Sequence, residues 1–459
     1  MTSMRTAALA VLAAALALAL LAPAAAQRLG TPGVVAVKDG RELRLFQSVL
    51  DGLTQMSVDI SLNRTRPDSL AVGGGVQAAA ATAAAQPPVP NVTPKEVATA
   101  IASVLAAAAI KTEVLGTLGD PKPWTDGYPD GRVALYRLPP SGTPKGTCIF
   151  VHGCKHDPYS WFYKSDACPL CTGLPEEVAH SKQCLARGYA VLALMSKNRV
   201  QNGPVARCFS SSGDGNDQPD AQAVIERWTR RFKLDKKPKF MFGVSSGAGF
   251  AIKFPKVMKL QGIVSEVNMP DVGSWLVDSK GRFDHEMPPT VFYQMQRDDK
   301  TAAQIAAAVE VFNANNVPVG VVKTYARPVT DTFLFERSLY ISKSQAKQIA
   351  FFLRKIGVID ANGLVNYDVR VNDGWTKELP KYLPWLKRSS PYYNLVSDES
   401  QIWQELNLAW SWHEIISDYV RPTLVWLEKK GRADLDALVK KYDLHGNLRC
   451  LSENQEGCA

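Results

Sequence analysis

The chain has 459 residues, with 53 Lys and Arg against 44 Asp and Glu, for a formal net charge of +9. Hydrophobic residues make up 46% and charged residues 21%, ordinary globular usage that excludes a wholly disordered, collagen-like or polytopic membrane protein. The charge excess is mild for this length and does not by itself point to nucleic acid.

Residues 1–26 read as a secretory signal peptide. Arg5 supplies a positive start, 7–21 is an unbroken Ala- and Leu-rich run, and Pro23 with Ala24, Ala25 and Ala26 makes a small-residue cleavage site before Gln27. The competing reading is an uncleaved anchor, because the run approaches spanning length. No later apolar run is long enough to span a bilayer, so no stable membrane insertion is expected after cleavage, and the expected location is extracellular or the secretory lumen. There the eight cysteines meet an oxidising environment. Two sequons, at Asn63 and Asn91, become candidate glycosylation sites.

Residues 27–94 are poor in aromatics and include Gly73 to Gly75, an alanine run over 78–85 with one threonine, and Pro87, Pro88 and Pro90. This composition reads as a low-complexity glycosylated arm and linker. A regular pattern follows in 95–329. Strands are expected at 133–138, 148–151, 189–195, 239–244, 262–267 and 290–295, and helices at 176–187, 218–232, 246–257 and 301–312. Short apolar strands alternating with helices imply a mostly parallel sheet covered on both faces. Residues 330–400 break that rhythm. A helix at 343–356 and a strand at 364–371 lead into an aromatic stretch with Trp375, Tyr382, Trp385, Tyr392 and Tyr393. This reads as an inserted small subdomain and a possible cap, with an irregular surface excursion as the rival reading. Residues 401–430 return to the core as one helix over 402–427, kinked before Pro422, and 431–459 form a charged tail.

The most specific motif is Gly243-Val244-Ser245-Ser246-Gly247, which follows the apolar strand and opens a small-residue helix. This is the nucleophile elbow: a turn so tight that glycines flank it, lifting the serine oxygen clear of the sheet at a helix N-terminus. Ser246 is the rival serine, but it lacks the central place between the glycines.

On these residues the chain, over roughly 115–430, resembles the α/β-hydrolase superfamily. The resemblance implies an α/β fold with a doubly covered sheet, and a nucleophile, an acid and a base in that chain order. The strand and turn Cys148-Ile149-Phe150-Val151-His152-Gly153 are similar to the family's oxyanion element. The resemblance then implies oxyanion donors at the amides of Ser246 and Cys154. By the strand-end pattern Asp298 is the expected acid, with Asp299 as the alternative and helix capping as the competing role for the pair. His413 is the expected base, since it alone of the six histidines follows the acid outside the charged tail. The His-Gly-Cys turn and the Cys-Pro-x-Cys pair are similar to those of secreted plant and algal members of unassigned substrate. The long interval from Asp298 to His413 departs from the family pattern, and the insert accounts for it.

Cys168-Pro169-Leu170-Cys171 has a spacing that also serves zinc or redox sites, but no second pair follows it. With a signal peptide, Cys154, Cys168, Cys171, Cys184 and Cys208 read as a disulfide cluster around the site, Cys450 and Cys458 as a pair in the tail, and Cys148 as a buried free thiol. The basic run over 227–239 reads as a solvated helix end, so no nucleic-acid partner is expected. The expectation is a secreted serine hydrolase, without cofactor or metal, that cleaves a small or polymer-attached carboxylic ester through an acyl-enzyme. A non-catalytic binding protein of the same fold and a serine peptidase are the alternatives.

Overall fold

Among the described residues, eight strands form one sheet: β1 (Lys122–Trp124), β2 (Ala134–Arg137), β3 (Thr147–Val151), β4 (Ala190–Ala193), β5 (Lys239–Val244), β6 (Gly262–Glu266), β7 (Thr290–Met295) and β8 (Val319–Thr324). Their order across the sheet is β1-β2-β4-β3-β5-β6-β7-β8. β2 runs antiparallel to both its neighbours, and every pairing from β4 to β8 is parallel. This computed structural model describes residues 118–448, apart from 141, 200–205, 387–394, 398 and 445–447. The described residues belong to one unit, Val104–Ala459. The expected leader, the expected arm with Asn63 and Asn91, Tyr392, Tyr393, Cys450 and Cys458 lie outside the described residues.

The central strands are apolar at nearly every position because both faces of the sheet are covered. Cys148 and Phe150 of β3 face one layer, where helix α1 (Pro175–Ala186) contributes Val178, Cys184 and Leu185 and a late helix contributes Leu424 and Leu427. Ile149 and Val151 face the other. There α2 (Gln218–Arg231) supplies Val224, Ile225 and Trp228, α3 (Ser246–Lys253) supplies Phe250 and Ala251, and α4 (Asp299–Ala314) supplies Ile305, Ala308 and Phe312. The period-2 alternation of one strand thus serves two cores.

The insert has a hydrophobic cluster of its own. Helices α5 (Phe333–Arg337), α6 (Lys343–Lys355), α7 (Trp375–Tyr382) and α8 (Gln401–Trp410) bury Phe333, Leu334, Ile349, Leu353, Trp375, Leu379, Trp403 and Leu406 together. The insert core therefore reaches past residue 400 and includes α8. The expected strand at 364–371 is instead a turn region with a single bridge, Ile359 to Val365. Of the insert aromatics in the described residues, Trp375 is buried and Trp385 packs within this cluster. Tyr382 stacks on Phe352, with ring centroids 5.1 Å apart.

The expected single helix over 402–427 is also corrected. It is two helices, α8 and α9 (Val420–Glu428), separated by a loop over 411–419; α10 (Leu435–Lys441) closes the chain's described helices. Ser411 ends α8 in the left-handed region at φ 60°. The sheet captures it there: its hydroxyl donates to the Thr324 carbonyl at 2.9 Å, and the Arg297 amide donates to its carbonyl at 3.0 Å. Tertiary hydrogen bonds at the ends of β7 and β8 thus override an apolar helical pattern.

Candidate active site

β5 leads into α3 through Ser245, whose backbone sits at φ 52° and ψ −114°, a strained conformation for a residue with a side chain. The flanking glycines are required by space. A Cβ on Gly243 would lie 2.2 Å from the Gly247 carbonyl oxygen, and one on Gly247 would lie 2.1 Å from that of Val151. The strain is held from β6: the Ser245 amide donates to the Glu266 carbonyl at 2.9 Å, and the Asn268 side-chain amide donates to the Ser245 carbonyl at 2.7 Å. Asn268 carries no signal in the sequence, since it acts only once β6 lies beside β5.

The Ser245 hydroxyl lies 2.9 Å from Nε2 of His413, in the loop between α8 and α9. His413 Nδ1 lies 2.7 Å from Oδ2 of Asp298, at the end of β7. Asp298 is the N-cap of α4, and its Oδ1 also accepts the Thr301 amide at 3.2 Å. Helix capping and orientation of the histidine, the competing roles for the pair, are both filled by Asp298, while Asp299 is exposed on the first turn of the helix. Burial pushes the Asp298 carboxyl up, but the hydrogen bonds from His413 and Thr301 outweigh it and hold it below the usual aspartate range. An ionised carboxylate can only accept, so His413 carries a proton on Nδ1, and the neutral ring presents a bare Nε2 to the serine.

The turn after β3 lies against the serine. A Cβ on Gly153 would sit 3.5 Å from the Ser245 Cβ. Among the described residues, no backbone carbonyl takes up the amide of Cys154 or of Ser246. His152 is buried, with Nδ1 at 2.8 Å from the Gly153 carbonyl oxygen and Nε2 at 3.4 Å from the Ser196 amide. Burial lowers its pKa to about 3, so the ring is neutral and shapes the turn.

Cys154 is bonded to Cys208, and Cys168 to Cys171. Cys184, expected in a disulfide, is instead a free buried thiol. It lies on the inner face of α1 in the same buried cluster as Cys148, the other free thiol among the described residues. Burial pushes the Cys148 thiol well up, which leaves it protonated.

Ser245 and His413 open onto a cleft of about 390 Å³, walled on the core side by His156, Trp161 and Trp412. Asp368, Arg370, Val371 and Ser397 of the insert line the same cleft. The described aromatics of the insert do not line it; Trp375 and Trp385 belong to the insert's own core, and Tyr382 is exposed. Arg370, which carried no sequence signal, donates to the His413 carbonyl at 3.0 Å and to Glu414 at 2.6 Å. Two further buried groups went unread in the sequence. His156 Nδ1 lies 2.7 Å from Glu177, and His180 Nε2 lies 2.8 Å from Glu266. Among the described residues no helix is long and apolar enough to cross a membrane.

No protein-family model matches the chain, and no curated protein matches it. Among solved structures the chain is similar to an α/β serine hydrolase without lid from Xanthomonas campestris, at 18% identity over 45% of this chain and 84% of that one, with a TM-score of 0.30. It is also similar to an esterase from Pyrococcus furiosus, at 15% identity over 58% and 95%, TM-score 0.33. An α/β hydrolase from a Medee basin deep-sea metagenome library matches at 14% identity over 58% and 98%, TM-score 0.32. The assignment comes from the chain's own geometry: the strand order with β2 reversed, and the strained serine between the fifth strand and its helix. The fold of this protein is that of the α/β-hydrolase superfamily.

Proposed function

We propose that this protein is a secreted serine hydrolase that cleaves carboxylic esters. The observation that carries the reading is the continuous hydrogen-bonded series from Ser245 through His413 to Asp298, at 2.9 and 2.7 Å. Ser245 is a weak nucleophile at its free pKa and needs a base within reach. His413 Nε2 takes its proton as the oxygen attacks the ester carbonyl carbon, and Asp298 holds the tautomer and stabilises the imidazolium. The amides of Cys154 and Ser246 receive the oxyanion. The proton then passes from His413 to the leaving alkoxide, and the alcohol departs. Water repeats the cycle on the acyl-enzyme and frees the acid. No cofactor or metal enters these steps.

The leader sequence supports secretion, as do the two disulfides. The insert residues in the cleft wall support a cap that limits the size of the ester, whether free or attached to a polymer. A fluorophosphonate probe tests the reading. The wild-type protein is labelled and hydrolyses p-nitrophenyl acetate, and Ser245→Ala does neither. Labelling of both, or of neither, overturns it.

A further inference from the structure

His413 occupies the left-handed region at φ 43°, two residues after Ser411 at φ 60°. Two left-handed non-glycine residues in one short loop need outside restraint. Asp298 holds the ring, but a ring held at one atom still swings if its backbone drifts. The backbone restraint comes from the insert. Arg370 lies 43 residues before His413, and its Nη1 donates to the His413 carbonyl at 3.0 Å. Its Nη2 donates to Glu414 Oε2 at 2.6 Å. The fork thus grips two consecutive residues of the loop. The base of the fork is fixed too: the Arg370 amide donates to Asp368 Oδ1 at 2.8 Å.

Glu414 is 3% exposed and also accepts the Ile415 amide at 3.0 Å and the Asn407 side chain at 3.2 Å. Burial pushes its carboxyl up, and Arg370 is the foremost counterweight. The guanidinium therefore stabilises a buried carboxylate and a strained carbonyl at once. Planar, forked geometry suits this, and a lysine could serve only one of the two acceptors well.

We propose that Arg370 is a positioning residue: the insert uses it to clamp the His413 loop and so keep Nε2 in register with Ser245. The proposal rests on the serine-hydrolase reading above, but the clamp itself does not. Each terminal nitrogen gives a hydrogen bond to the His413 loop, so the residue acts through His413, and the KM readout below separates this from contact with substrate in the cleft it lines. The insert is then part of the catalytic apparatus, beyond any effect it has on substrate size.

The test compares wild type with Arg370→Met and Arg370→Lys. Two readouts are taken: kcat and KM on p-nitrophenyl acetate, and amide hydrogen exchange across 411–419. In Arg370→Met, kcat is expected to fall by on the order of 10- to 100-fold, the cost of a misplacement near 1 Å. KM should stay within about threefold, because binding is not what is lost. Arg370→Lys should recover part of kcat, and it keeps a cation opposite Glu414 should the methionine variant fail to fold. Exchange in 411–419 should be faster in the variants than in wild type, with 246–253 unchanged. A rise in KM at constant kcat would make Arg370 a substrate contact and overturn the proposal. Equal exchange in all folded proteins overturns it whatever the activity. A wild type that exchanges slowly in 411–419 yet cleaves no ester would refute the hydrolase reading and leave the clamp standing.

Discussion

His413 Nδ1 donates to Asp298 Oδ2 at 2.7 Å, and the other oxygen of that carboxylate accepts the Thr301 amide at 3.2 Å. One side chain therefore caps α4 and fixes the imidazole, so any motion of the helix end is passed to the ring. Asp298→Asn keeps the shape but removes the charge and permits the wrong tautomer. The expected result is a fall in kcat of about 10³–10⁴-fold with little change in KM. Stability gives a second readout. The folded carboxyl titrates below its ordinary value of 3.8. Its contribution is therefore fully present above that value and lost as pH falls through the folded pKa. Denaturation of wild type and Asp298→Asn at pH 7, 4 and 2.5 should show their difference shrinking as pH falls. A difference independent of pH would count against a stabilised Asp298 carboxylate.

The elbow makes a sharper demand on residue size. Gly247→Ala would press a methyl group to 2.1 Å from the Val151 carbonyl oxygen and 2.6 Å from that of His152. Both are main-chain atoms at the end of a central strand, so the clash cannot be relieved by turning a side chain. A loss of about 1–3 kcal/mol or more is expected, with loss of fluorophosphonate labelling. Gly273→Ala is the control, because its nearest neighbour would be 3.7 Å away. That substitution should fall within about 0.5 kcal/mol of wild type.

The disulfide between Cys154 and Cys208 ties the turn after β3 to the segment before α2. The Lys155 amide donates to the Ala206 carbonyl at 2.6 Å, and the Phe209 amide donates to the Ser246 hydroxyl at 3.3 Å. The same segment thus touches both residues around the proposed oxyanion donors. With the cysteines 54 positions apart in the sequence, the cross-link should contribute about 4 kcal/mol through the unfolded chain. Cys154→Ser with Cys208→Ser should lower stability by about this amount and reduce kcat more than it raises KM. Cys168 and Cys171 are only three residues apart and close a far smaller loop, so serine at both should cost less. Equal effects from the two pairs would show that the cross-link has no special place beside the site.

What could be read along the chain was what is local. β3, β5 and β7 are apolar runs, the elbow is five consecutive residues, and Asp298 follows a strand with a clear boundary, whereas His413 is singled out only by its order among the six histidines. The edge strands gave no such signal. β1 is three residues long with two of them exposed, and β8 is half-exposed along its first positions, so neither shows a buried run. The break at 411–419 was hidden because its cause is the carbonyl of Thr324 and the amide of Arg297, distant in sequence. Cys184 was read with the disulfides because spacing cannot tell the inner face of α1 from the rim. Arg370 and Asn268 were invisible for the same reason: each acts on a backbone group that only the finished fold brings near.

The buried charges under the His413 loop lead to a last prediction. Arg337 of α5 has a side chain with no exposure, and it meets Glu176 of α1 at 2.6 Å, Glu405 of α8 at 3.1 Å and Asp418 at 2.7 Å. Asp418 in turn accepts from Arg327 at 2.7 Å. Burial pushes the Asp418 carboxyl up, yet the two guanidiniums hold it down at about 2. Burial pushes the Glu405 carboxyl well up. One guanidinium therefore joins the insert, the first helix and the loop that carries His413. Arg337→Met would fill much of the space but leave the buried carboxyls of Glu176 and Asp418 without this guanidinium. Breaking a buried pair by removing one partner costs about 3–5 kcal/mol, against about 0–1 kcal/mol for an exposed pair. Lys259 and Glu286, paired at 2.7 Å and largely exposed, give the comparison. Chemical denaturation should find Arg337→Met destabilised by several kcal/mol and Lys259→Met hardly at all. If Arg337→Met unfolds at the wild-type midpoint, the cluster is not what fastens the insert to the loop.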